Sequence, residues 1–237
     1  MKALAVVSGG LDSVTLAHFL AEQGQLAGML SFDYGQRHKK ELQFAERAAK
    51  RLKVPHFVID LTTITPHLKG SSLTDDVAVP DGHYAAESMK QTIVPNRNAI
   101  MLAIAFGIAP ANGMDAVAIA IHSGDHFIYP DCRPDFADLF ERMEQKALEG
   151  MWNVKLLTPF VNVTKGGIAE HAHRLGVPVA DTWSCYKGGA IHCGRCGTCV
   201  ERREAFALAK LDDPTVYEDP DFWIEEVRKN AALTAGR

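Results

Sequence analysis

Ala3-Leu4-Ala5-Val6-Val7-Ser8-Gly9-Gly10-Leu11-Asp12-Ser13 is the stretch whose reading decides the fold. Its first five residues form an unbroken apolar run, the pattern of a strand covered on both faces. A serine and two glycines follow. Val14 to Glu22 then reads as an amphipathic helix ending at Gly24. Strand, glycine pair and helix start together make an anion cradle. Residues without Cβ let backbone N–H groups approach an anion closely, and the helix N-terminus adds partial positive charge. Ser8 and Ser13 can donate hydroxyl hydrogen bonds, and Asp12 can hold a divalent cation.

Outward from this stretch, apolar runs alternate with helical segments. Strands are expected at 26–32, 56–61, 115–121 and 155–160. Helices are expected at 39–52, 98–109, 134–148 and 164–175. That alternation predicts an α/β fold, a doubly wound parallel sheet with helices on both faces and ligands at the carboxyl ends of its strands. The segment 62–92 is long, polar and irregular, a pattern that points to a functional loop or lid. From Asp181 glycines and cysteines dominate, so the expected division is an α/β domain over 1–180 and a small module with a C-terminal tail over 181–237.

The 237 residues, 47% of them hydrophobic, suffice for one α/β core with an appendage. A net charge of −4 supplies no basic field for holding nucleic acid non-specifically. Met1-Lys2 leads directly into a core strand, so no signal peptide is expected. The most apolar helical stretch, 99–109, is about half the roughly 20 residues a membrane span needs. A cytoplasmic location, with no membrane partner, is the expectation.

Cys185, Cys193, Cys196 and Cys199 are spaced C-x7-C-x2-C-x2-C. Four thiolates match a closed tetrahedral zinc site, one ion per chain, structural because no coordination position stays open. A redox pair or an iron–sulfur cluster fits the ligand count less economically. Cys132 stands apart and reads as a small buried hydrophobe. Val200 to Leu208, with Glu201, Arg202, Arg203 and Glu204, reads as a helix with a solvated charged face. His122, His126, His171 and His173 read as structural or solvent histidines, since thiolates are available for the metal.

The loop is not the Walker type, which needs G-x-x-x-x-G-K-[ST]. Its SGGxDS pattern resembles that of the ATP pyrophosphatase (PP-loop) superfamily. Further stretches, in order, are Phe32-Asp33-Tyr34-Gly35-Gln36-Arg37-His38, Ser72-Leu73-Thr74-Asp75-Asp76, Val94-Pro95-Asn96-Arg97-Asn98, Tyr129-Pro130-Asp131-Cys132-Arg133-Pro134 and Thr182-Trp183-Ser184-Cys185-Tyr186. With the loop and the cysteines, they resemble the 7-cyano-7-deazaguanine synthase family, often called QueC, from about Lys2 to Pro214. Phe127-Ile128 and the tail after Pro214 depart from its pattern.

The resemblance implies a Rossmann-like fold of the adenine nucleotide alpha hydrolase type. It also implies ATP-dependent conversion of 7-carboxy-7-deazaguanine and ammonia to 7-cyano-7-deazaguanine in deazapurine biosynthesis, a C–N ligase reaction. ATP with magnesium and structural zinc are the implied cofactors, and the implied partners are small molecules and a second copy of the chain, with no direct nucleic-acid contact. Ser8, Gly9, Gly10, Leu11, Asp12 and Ser13 are expected on ATP. Asp12, Ser13, Arg97 and Lys165 are expected at the chemistry, Lys165 facing the phosphates. Tyr34, Arg37, Asn98, Asp125, Tyr129, Asp131 and Arg133 are expected on the substrate. Alternatives stay open for several of these. Arg37 and Arg97 suit a phosphate, the substrate carboxylate or a surface ion pair. Asp125 and Asp131 suit the guanine-like edge or a helix or turn cap. Tyr34 and Tyr129 suit base stacking or core packing.

Three rival readings remain. One is another adenylating enzyme of the superfamily, such as a tRNA thiolase. The second is a relative that passes a deazaguanine acyl group to a protein amine. The third is a nucleotide sensor without chemistry, for which an intact Asp12 loop has no use.

Overall fold

The computed structural model describes residues 1–37 and 39–235. Five parallel strands form one sheet: β1 Ala3–Val6, β2 Leu26–Asp33, β3 His56–Asp60, β4 Ala116–Ala118 and β5 Lys155–Leu157. Their order is β3-β2-β1-β4-β5. The chain winds outward from β1 through β2 to β3, then returns to lay β4 against the other side of β1. The direction of winding reverses between β1 and β4, and a crevice opens there beyond their carboxyl ends.

Side chains alternate across β1. Ala3, Ala5 and Val7 pack into a core with helices α1 (Leu11–Glu22), α2 (Lys40–Leu52) and α5 (Lys165–Arg174). Leu4 packs into a second core with α3 (Arg97–Ala111) and α4 (Pro134–Ala147). Each fully buried Leu contributes about 1.5–3 kcal/mol relative to exposure. The apolar character of α3 is spent on this core, where Met101, Leu102, Ala105, Phe106 and Ala109 are buried.

Among the element ends that differ from the sequence expectation, three bear on the site. Helix α1 starts at Leu11 rather than Val14, because Val14 N–H already donates to Gly10 O. Asp12 and Ser13 therefore stand in its first turn. Strands β4 and β5 stop at Ala118 and Leu157 after one further bond, Ile119 N–H to Leu157 O, and the chain then turns toward the crevice.

The segment 62–92 is a strap rather than a free lid. Ser71 and Ser72 are fully buried, and Ser72 N–H donates to Gln91 O. At its far end Gly82 N–H donates to Arg195 O, and Asp81 bridges to Cys196. The four clustered cysteines pack with Phe44, Val79, Trp183 and Tyr217 in a small core of their own. Helix α6 (Gly197–Leu208) runs from that core into the main one, where Ala205 and Phe206 are buried. Helix α7 (Phe222–Ala235) folds back on α6, with Arg203 over the Trp223 ring at 5.5 Å and Arg195 over Phe222 at 4.2 Å.

Candidate active site

The glycine loop lies at the carboxyl end of β1. Ser13 Oγ donates to Gly10 O (3.1 Å) and accepts from Ser8 N–H (3.2 Å), while Ser8 Oγ accepts from Gly10 N–H (3.3 Å). No side chain caps the start of α1, so the orphan N–H groups of its first turn are open to an anion. Gly9 sits at φ +99°, and a Cβ there would lie 2.1 Å from Glu41 O. Its carbonyl accepts from Trp183 N–H (2.9 Å), which ties the loop to the cysteine module. Trp183 in turn donates its indole N–H to Cys185 O (2.9 Å) and stacks under Lys40.

Lys165, at the start of α5, reaches back to this loop. Its Nζ lies 2.8 Å from Asp12 Oδ2, 2.9 Å from Glu201 Oε2 and 3.2 Å from His122 Nε2. Asp125 completes the group, with Oδ2 3.3 Å from His122 Nε2. Burial would push the Asp12 carboxyl up, but the Lys165 ammonium, helped by His122, brings it below its ordinary value. Burial also opposes charge on Lys165, yet Asp12, Glu201 and Asp125 raise its affinity for the proton. Asp125 is pushed up to about 6 by burial, with Glu201 adding repulsion. Asp12 Oδ1 is buried with no hydrogen-bond partner among the described residues, which suits a cation ligand. The ligand atoms of His122, Asp125 and Glu201 also converge within 4.8 Å of one another.

A cleft of about 920 Å³ opens beside the loop, lined by Ser8, Asp12, Ser13, Tyr34, Glu41, Arg97 and Tyr186. An adjoining one of about 850 Å³ reaches Lys165, His122, Tyr129 and Glu201. Arg97, at the start of α3, donates to Tyr34 OH (3.3 Å). Asp131 caps α3, accepting from Asn98 N–H at 3.1 Å, while Asn98 Nδ2 donates to Asp131 O and Cys132 Sγ. Burial pushes the Cys132 thiol up, so it is no ready nucleophile. Tyr129 OH pairs with Thr92 Oγ1 at 2.8 Å.

The structure thus brings Ser8, Gly10, Leu11, Asp12, Ser13, Tyr34, Arg97, Asn98, Asp125, Tyr129, Asp131 and Lys165 to these two clefts, and Gly9 supports the loop from behind. Arg37 and Arg133 stand outside both. Arg37 pairs with Asp76 (2.9 Å) and donates to Val77 O, anchoring the strap. Arg133 donates to His126 O (2.6 Å).

The expectation of a solvated charged face on α6 is overturned. Arg202 is 1% exposed, donating to Thr182, Ser184, Val179 O and Thr215 and facing Asp213 at 3.6 Å. Glu201 is buried against Lys165. Glu41, His122, Trp183, Tyr186 and Glu201 are cleft residues that the sequence reading left without a site role. Their only sequence signal is proximity to motifs: Trp183 and Tyr186 lie within one, Glu41 three residues after another, and Glu201 two after Cys199.

Cys185, Cys193, Cys196 and Cys199 converge on one point. Cys193 Sγ and Cys199 Sγ are 3.9 Å apart, close to the edge of about 3.8 Å for a tetrahedron with metal–sulfur bonds of about 2.3 Å. Backbone N–H groups of Cys193, Arg195 and Cys196 point at the sulfurs. Gly194 (φ +77°) lets the loop pass Asp219, whose O would lie 1.9 Å from a Cβ. The donor set fits zinc.

The chain is 63% identical over 232 residues to the 7-cyano-7-deazaguanine synthase of Rhizobium johnstonii, covering 98% of each. It is 66% identical to that of Rhizobium etli (94% of each) and 65% identical to that of Ruegeria pomeroyi (94% of this chain, 97% of the relative). Among solved structures, NMN synthetase from Francisella tularensis aligns over 96% of this chain and 85% of its own at 12% identity, TM-score 0.49. The family model of queuosine biosynthesis protein QueC matches residues 2–210, and the chain belongs to that family.

Proposed function

We propose that this chain converts 7-carboxy-7-deazaguanine and ammonia to 7-cyano-7-deazaguanine at the expense of ATP, as an ATP-dependent ligase forming a C–N bond. The observation that carries the reading is the Lys165–Asp12 contact at 2.8 Å beside the open start of α1. It supports the reading because a fixed cation beside a row of open N–H groups suits developing phosphate charge. Family membership supplies the substrate class.

A carboxylate oxygen is a poor leaving group. In this reading it attacks the α-phosphorus of ATP and expels pyrophosphate, which Ser8, Ser13 and the N–H groups of Leu11 to Ser13 hold. Ammonia adds to the acyl-adenylate carbon, AMP leaves and the excess proton is lost, giving the amide. The amide oxygen is adenylated in a second turn of the same site. Loss of AMP and a proton then gives the nitrile. Lys165 stays charged through both turns because Asp12 and Glu201 flank it. Arg97 is fixed near the substrate carboxylate, and Tyr34, Tyr129 and Tyr186 form aromatic walls for the base. Asp12, whose Oδ1 has no hydrogen-bond partner among the described residues, would hold magnesium, and the ion would supply neutralisation of phosphate charge. Zinc on the four cysteines is structural, and Asn98, Asp131 and Cys132 fix the start of α3 beside Arg97.

The division of labour falls near residue 180. Residues 1–180 carry the ATP loop, and 181–237 close the site with Trp183, Tyr186 and Glu201. A cytoplasmic location and a homodimer complete the reading; for the dimer alone, Leu139 and Met143, exposed one turn apart on α4, offer an apolar contact. The test is pyrophosphate–ATP exchange. Exchange that requires the deazaguanine acid, and that Asp12→Asn abolishes with zinc content unchanged, supports the reading. Exchange independent of the acid contradicts it.

A further inference from the structure

The guanine-like ring presents two adjacent donors, N1–H and the 2-amino group, beside an acceptor oxygen. A pocket that selects it needs a carboxylate able to accept both, since an ionised carboxylate is acceptor-only with two oxygens. Five carboxylates line the two clefts. Four are already engaged. Asp12 and Glu201 hold Lys165, Asp125 faces His122, and Asp131 caps α3.

Glu41 is the fifth. It lies in the first turn of α2, and its carboxylate has no ion-pair partner within 4.0 Å among the described residues. Oε1 accepts one hydrogen bond, from Gln36 Nε2 at 3.2 Å. Gln36 is itself buried, donating to Phe32 O and accepting from Tyr34 N–H. The Glu41 main chain is equally fixed, packed against Gly9 so closely that no Cβ fits between them. The carboxylate is therefore held at a set distance from the phosphate loop. Tyr34, Arg97 and Tyr186 share its cleft. A buried carboxylate with one hydrogen bond and no ion pair within 4.0 Å is costly unless a ligand supplies donors. Burial pushes Glu41 up to about 7, with Arg97 and Gln36 opposing. This is the behaviour of a group whose hydrogen bonds arrive with the ligand.

We propose that Glu41 is the specificity-determining residue for the base, accepting from N1–H and the 2-amino group of a 7-deazaguanine while Gln36 positions it. Gln36 takes one lone pair of Oε1, so Oε2 and the other lone pair of Oε1 stay available to the two donors of the base, and Arg97 stands on the same cleft as a donor for an oxygen substituent. The assignment rests on the synthase reading for the identity of the ring.

The experiment compares 7-carboxy-7-deazaguanine with its 2-deamino analogue as substrates for the zinc-loaded wild type and for Glu41→Gln. Hydrogen bonds to a charged group are worth about 1.5–3 kcal/mol, or about 10- to 150-fold. Wild type is expected to prefer the 2-amino substrate by at least about 10-fold in kcat/KM. Glu41→Gln is expected to raise KM for the acid by about 10-fold or more, leave KM for ATP unchanged, and narrow the preference for the 2-amino ring. A merely structural Glu41 would instead lower zinc content or disturb ATP binding without changing the preference between rings. The proposal is overturned if wild type accepts the 2-deamino ring equally well, an arm that needs no variant, or if Glu41→Gln keeps the wild-type KM and preference. Should wild type form no nitrile, calorimetry of the two acids with the same protein separates the readings. Selective binding of the 2-amino ring that Glu41→Gln loses upholds Glu41 while the synthase reading fails, and absence of selective binding overturns both.

Discussion

Gly9→Ala is the sharpest perturbation of the phosphate loop. The residue sits at φ +99°, where an L side chain is strained, and its Cβ would fall 2.1 Å from Glu41 O and 2.9 Å from Ala45 N. Both are backbone atoms of α2, so no side-chain rotation relieves the clash. Strain of about 1–3 kcal/mol and overpacking of about 1–3 kcal/mol give about 2–6 kcal/mol in total. At about 2–4 °C per kcal/mol for a chain of this size, Tm falls by at least about 4 °C. The neighbour is the control. Gly10 has φ −74°, and a Cβ there would meet Ser8 Oγ at 3.4 Å and Trp183 O at 3.5 Å, ordinary contacts. Gly10→Ala should keep Tm within about 2 °C, because a change without clash or strain stays within about 0.5 kcal/mol. Differential scanning fluorimetry of the two variants decides the matter. Equal Tm values would refute the close packing of α2 on the loop.

Three further outcomes follow from the same contacts. Cys196→Ser, which removes one of four converging thiols, should lose zinc by elemental analysis and lower the denaturation midpoint together; a zinc-free, fully stable and active variant would refute a structural ion. Lys165→Ala removes the cation 2.8 Å from Asp12 and 2.9 Å from Glu201, and kcat should fall about 100-fold or more; steady-state kinetics showing less than about 5-fold loss would remove Lys165 from the chemistry. The pH dependence of stability should differ between wild type and Glu41→Gln. A carboxyl raised from 4.5 to about 7 makes the folded state bind the extra proton, so its contribution to stability declines as pH rises from about 4.5 to 7. His18, His56 and His192, all lowered by burial, act with the opposite sign in the acid part of that range. Urea titrations across it should therefore show wild type losing stability relative to the variant as pH rises, and parallel curves would contradict the buried carboxyl.

Much of this molecule is legible because its signals are local. The apolar run Ala3–Val7 and the alternation after it specify a parallel sheet, and the cysteine spacing reads as one donor set of four thiols without knowledge of the fold. Residues whose role depends on distant partners are not legible in that way. Arg202 looks like a surface arginine beside Arg203 and Glu204, yet Thr182, Ser184, Thr215 and Asp213 come from other segments to receive it. Glu201 lies on the same helix, and only the packing of α6 against α5 brings it to Lys165. His122 passes for one structural histidine among several until the turn after β4 sets it beside Lys165. Asp131 shows the reverse case. Its position in a motif leaves a substrate contact and a cap both open, and its carboxylate caps α3 on the wall of the cleft. Helix periodicity tells which face is apolar, but a buried charge is matched only in three dimensions.

This chain is expected to carry the acid through to the nitrile. The most direct test incubates the zinc-loaded protein with ATP, magnesium, ammonium and 7-carboxy-7-deazaguanine and follows the base by mass spectrometry. The expected product is 7-cyano-7-deazaguanine, with AMP and pyrophosphate formed alongside. ATP cleavage that ends at the acyl-adenylate or the amide, with no nitrile at any time, would contradict it.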